Sequence, residues 1–203
     1  MREKHLASVV LKTESLGYID DLRAGIHLQR EGMSGDERMV ADALTEVIGA
    51  MEGAVPEDQI IENLVHLEKG VFDEALLDIV YSIDEEGMTP EKRKIIHDKY
   101  LGTDYLMAVF AIDGINEMDS YRILNNMKGK MSDGSPELAS GLRGHMLVNV
   151  ISKNGEDVDG FDWRKTGNFI HIPDTSAESC RLLDYVTGPE RQGERQVLYV
   201  EGA

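Results

Sequence analysis

Through the first 143 residues apolar positions recur at intervals of three and four, the spacing of one face of an α-helix. Leu6, Val9 and Val10 open one such stripe, and Leu16, Ile19, Leu22 and Ile26 carry a second past Gly25. Ser34 is followed three residues later by Glu37, a capping-box pattern. Val40, Ala43, Leu44, Val47, Ile48 and Met51 then form an apolar face that ends before Gly53. Pro56 suits a first helical position, with Ile60, Ile61, Leu64, Val65 and Leu67 behind it and Gly70 as a stop. Phe72, Leu76, Ile79, Val80 and Ile83 repeat the pattern up to Gly87. Thr89-Pro90 supplies a cap and a pre-set φ for a helix carrying Ile95, Ile96 and Tyr100. Tyr105 to Ile112 is apolar on nearly every side, which fits a central buried helix or a buried strand, and the helix is the reading adopted. Tyr121, Ile123, Leu124 and Met127 continue the helical spacing.

From about residue 144 the texture changes. Met146 to Ile151 is rich in β-branched residues and is followed by Asn154-Gly155, a tight-turn pair. Asn168 to Ile172 and Gln196 to Val200 also read as strands. Between them, Ala177 to Val186 reads as a helix with Cys180, Leu182, Leu183 and Val186 inward. The expected fold is therefore α+β. It has a predominantly helical body over residues 1–143 and a small subdomain over 144–203, with an antiparallel or mixed sheet and one helix.

The length of 203 residues suits one domain or one domain with a small appendage, and the 41% apolar content suits a packed core. A single cysteine, Cys180, leaves no internal disulfide to form and fits a reducing compartment. No stretch reads as a secretory h-region or a membrane span, so the expectation is a cytoplasmic protein without membrane contact. The net charge of −17 is concentrated: residues 34–88 hold 15 acids against only Arg38 and Lys69. A localised block of this kind attracts cations or basic surfaces and disfavours direct nucleic-acid binding through 34–88.

Within that block, carboxylates recur one helical turn apart: Asp42 with Glu46, Asp58 with Glu62, and Glu74 with Asp78. Such pairs cost a helix roughly 0.2–0.5 kcal/mol each, so a role in partner binding is the functional reading set beside plain solvation. The favoured function is non-enzymatic and regulatory. A helical carboxylate face engages a basic protein surface and, by charge mimicry, inhibits a nucleic-acid-binding protein. Trp163, beside Phe161 in a charged turn, joins the candidate partner-binding residues because Trp is enriched at binding hot spots. No cofactor is expected on this reading.

Two alternatives stand beside it. One is a Mg²⁺- or Mn²⁺-dependent phosphohydrolase using Glu62, Glu74, Asp78 and His66, since these metals take oxygen ligands and shared phosphates. The spacing of Glu74 and Asp78 differs from the Glu and Asp three apart of all-α nucleotide pyrophosphatases, so no family resemblance follows. An arrangement like that of HD-type phosphohydrolases would use His66, His97-Asp98 and Asp113, but His97-Asp98 lies among Lys92, Arg93, Lys94 and Lys99, as on an exposed helix face. The other alternative is a homo-oligomeric structural component packing through residues 105–112. No nucleophile elbow, Walker loop or dinucleotide fingerprint is present.

Overall fold

The computed structural model describes residues 5–12, 20, 23–24, 26–27, 30–53, 62–81, 88–128, 170–173, 175–191 and 193–202. Its elements in chain order are β1 (His5–Lys12), α1 (Gly35–Met51), β2 (Leu64–Val71), α2 (Glu74–Val80), α3 (Pro90–Tyr100), β3 (Asp104–Ile112), α4 (Glu117–Lys128), β4 (Ile170–His171), α5 (Ser176–Thr187) and β5 (Arg195–Val200). The strands form one sheet in the order β4-β1-β3-β2-β5, with every neighbouring pair antiparallel. Four strands are long and β4 is a two-residue edge piece.

This corrects the expected fold class. The chain is α+β, but its sheet is built from strands spread along the whole sequence, not confined to the C-terminal end of a helical body. β1, β2 and β3 all fall where helices were expected. In β2 one alternating set of side chains includes the buried polar residues His66 and Glu68. For β1 and β3 the physical reason is burial on both faces: helices cover the sheet above and below, so both alternating sets of side chains are mostly apolar and period two is erased. Tyr105 to Ile112 shows this most plainly, since every residue of that run is buried. It is the central strand, buried inside its own sheet.

On one face of the sheet Ala7, Val9, Leu11, Leu67, Leu106, Ala108, Phe110 and Ile112 pack against α1 and against Ile123, Leu124 and Met127 of α4. On the other, Val10, Tyr105 and Met107 meet Phe72, Leu76, Leu77 and Val80 around α2, Tyr100 of α3, and Leu182 and Val186 of α5. Each fully buried aliphatic or aromatic side chain contributes about 1.5–3 kcal/mol.

The helix caps follow the sequence. Ser34 and Glu37 form a reciprocal capping box at the start of α1, and Thr89 with Pro90 starts α3. The expected helices near 176–187 and 117–128 and the expected strand at 196–200 are present. The expected strand at Met146–Ile151 and the Asn154-Gly155 turn lie outside the described residues. No helix among the described residues is long and apolar enough to cross a membrane.

Candidate functional site

The structure places the five described members of the three carboxylate pairs in different layers. Asp42 is exposed on α1 and pairs with Arg30. Glu46, one turn on, is turned to the start of β2, where it accepts hydrogen bonds from the Glu62 N–H at 3.2 Å and from Asn63 Nδ2 at 2.8 Å. The Glu62 side chain is exposed. Asp58 and Trp163 lie outside the described residues. Glu74 and Asp78 are on α2, across the sheet from α1, so Asp42 and Glu46 share no face with them.

Glu74 and Asp78 do come together. Arg93 of α3 lies 2.9 Å from Asp78 and 3.6 Å from Glu74, and His97 Nε2 lies 3.1 Å from Asp78. Beside them is an open cleft of about 560 Å³, lined by Asp73, Glu74, Ala75, Asp78, Tyr185, Pro189 and Glu190. Its walls are the start of α2 and the segment that follows α5. The Glu74 and Glu190 side chains face solvent. Asp73 caps α2, accepting from the Leu76 N–H at 2.7 Å, and also accepts from the Tyr185 hydroxyl at 3.1 Å.

Behind this cleft lies a buried polar cluster, of which sequence reading had singled out only His66, and that as a metal ligand. Glu68 is 0% and His66 2% exposed, and His66 Nε2 is 3.0 Å from the Glu68 carboxylate. The Tyr105 hydroxyl donates to the other Glu68 oxygen. Arg191, its side chain 1% exposed, donates to the Tyr105 oxygen at 2.8 Å and pairs with Asp73. Arg195 of β5 approaches Glu68 at 3.7 Å. The cluster thus runs from β2 through β3 to the cleft wall. Burial, then the hydrogen bond to Glu68 and that carboxylate's charge, push the Tyr105 phenol well above its ordinary range. Burial works against the Arg191 charge, but the Tyr105 oxygen and the Asp73 carboxylate outweigh it and hold its pKa above the usual value.

Two glycines make room for these contacts. A Cβ on Gly70 would stand 2.7 Å from the Glu194 carbonyl and 2.9 Å from the Tyr105 hydroxyl, so a side chain there collides with the network. Gly193, at φ +93°, lies against the Arg191 guanidinium in a backbone region other residues rarely adopt. The signal that finds this cluster is period two: once 64–71 is taken as a strand, His66, Glu68 and Gly70 share a face, and the register sets Tyr105 opposite Gly70.

Of the residues in the metal reading, His66 lies in this buried cluster, Glu62 is exposed, and Glu74 and Asp78 line the cleft. Among the described residues no group of three or more His, Cys, Asp or Glu side chains is placed to hold a metal ion. No protein-family model matches the chain, and no curated protein or solved structure is significantly similar to it.

Proposed function

We propose that this chain acts by binding, and that it recognises a partner through basic side chains that enter the cleft between α2 and the end of α5. The observation that carries the reading is the cleft lining: the carboxylates Asp73, Glu74, Asp78 and Glu190 line it together with Tyr185. Arg191 offsets Asp73 and Arg93 offsets part of the Glu74 and Asp78 charge, which leaves the lining net negative. A guanidinium or ammonium entering here meets carboxylates beside the Tyr185 ring, over which Arg191 already lies 5.6 Å from the centroid, so the carboxylates supply the attraction. The last turn of α5 carries no basic residue, so its carbonyl ends add negative partial charge. The overall charge of −17 steers a basic partner toward the molecule and repels phosphate backbones. A nucleic-acid-binding protein is the partner class that suits this chemistry, because its phosphate-reading bases would meet carboxylates instead.

The test is fluorescence anisotropy with a labelled oligoarginine peptide and an acidic peptide as control. Binding of the basic peptide alone, weakening as salt rises and lost in Glu74→Lys/Glu190→Lys, is the expected result. Both positions are exposed, so the substitutions leave the core intact. No binding at low salt, or binding unaffected by the two reversals, overturns the reading.

A further inference from the structure

The helix that reaches toward this cleft is fixed at one end. Its C-terminal residue, Tyr100, is the one residue of α3 that is buried; its ring stacks on Tyr81 with centroids 5.1 Å apart and lies 6.4 Å from that of Phe72. Just beyond, the Gly102 N–H donates to the Phe72 carbonyl and the Phe72 N–H to the Thr103 carbonyl, both at 2.9 Å. The other end is different. Every residue from Glu91 to Ile95 is exposed, Ile95 at 62%, and Ile96 is only half-buried. This half of α3 meets α2 through Arg93, paired with Asp78 and Glu74, through the His97 ring on Asp78, and through half-buried Ile96, which packs against the apolar cluster of Phe72, Leu76 and Leu77. The Arg93 guanidinium is 44% exposed, so its pairs hold weakly, each by about 0–1 kcal/mol, and salt screens them, whereas the His97–Asp78 contact, 15% and 21% exposed, is better shielded.

We propose that α3 is an electrostatic latch, which swings about its Tyr100 end and, when closed, covers the Glu74 and Asp78 carboxylates with its own Arg93 and His97. The latch is a property of the fold. Its consequence, that α3 and a basic partner compete for the same two carboxylates, rests on the proposed function. An opening helix exposes Asp78 without disturbing β3, whose residues from Tyr105 to Ile112 are buried.

Hydrogen exchange read by mass spectrometry on the full chain tests the latch at low and high sodium chloride. Released from α2, a helix of 11 residues does not hold its own hydrogen bonds in water, so protection of residues 91–97 is expected to fall roughly three- to tenfold with salt, while that of 104–112 stays constant. Arg93→Ala is expected to show the high-salt behaviour already at low salt, and His97→Gln to shift the same way. The constant protection of β3 reports that each variant is folded. Protection of 91–97 that matches β3, or that ignores both salt and the substitutions, overturns the latch.

Oligoarginine affinity tests the competition. Arg93→Ala is expected to bind roughly three- to tenfold tighter than wild type. Lys94→Ala, which removes the same unit of charge from a side chain paired with Asp98, is expected to gain less. Equal gains in the two variants remove the competition. Salt-sensitive exchange with no peptide binding in any variant removes the proposed function and leaves the latch standing.

Discussion

The two faces of the sheet solve the same burial problem by different means. On the α1 face the described buried side chains are apolar, and Phe110, Leu44, Val47 and Ile48 are all 0% exposed. On the α2 face an apolar cluster shares the interior with Glu68, His66, Tyr105 and Arg191, each held by hydrogen bonds or charge. A dry face depends on volume, because close packing leaves a cavity when atoms are removed. A polar face depends on completeness, because one missing partner strands a buried donor or charge.

The comparison can be broken in order of expected effect. Phe110→Ala should destabilise by about 3–5 kcal/mol, whereas Phe110→Leu should recover most of that, in chemical denaturation. Arg191→Met should cost about 2–4 kcal/mol by leaving Asp73 and Tyr105 without their cation; Asp73 is partly exposed, which limits the loss. If Arg191→Met costs less than a conservative volume change at Phe110, the contrast between the faces fails.

Tyr105→Phe should cost about 1–3 kcal/mol at neutral pH, since Glu68 and Arg191 each lose a partner. It also carries a pH signature. Because folding raises the phenol pKa, its contribution is fully present below the unfolded value of 10.0 and drains away as pH rises above it. Wild type should therefore lose stability on the alkaline side, and the Phe variant should lack that limb. Equal alkaline limbs in thermal unfolding would place the phenol outside the network.

The smallest effect belongs to a surface cap common to neither face. The Ser34 backbone and hydroxyl hold the Glu37 carboxyl below its usual range, so its contribution is present above the unfolded value of 4.5 and is lost as pH falls through the lowered one. Glu37→Gln should flatten the acid limb by a few tenths of a kcal/mol at most, given its exposure.

The same division decides how much could be read in advance. Asp42 with Glu46 and Glu74 with Asp78 are indistinguishable as patterns, yet one pair is split between Arg30 and the start of β2 while the other lines a cleft with Arg93 and His97 nearby. Nothing within either helix encodes that difference, which comes from residues up to 19 positions away. Trp163, chosen as an aromatic in a charged turn, and Asp58, chosen for its spacing from Glu62, fall outside the described residues.

What the amino-acid order determined unaided is the set of local stops and starts. The Ser34-to-Glu37 box and the Thr89-Pro90 start fix helix ends through hydrogen bonds and a backbone angle contained within four residues. Tertiary structure alone decided that Leu6 to Leu11, Leu64 to Val71 and Tyr105 to Ile112 are strands. Burial on both faces hides the periodicity of the first and third, the polar His66, Glu68 and Lys69 disguise the second, and the hydrogen bonds of all three close only with partners far along the chain. The buried cluster follows from that same pairing, since Glu68, Tyr105 and Arg191 meet only once β2, β3 and the segment after α5 are side by side.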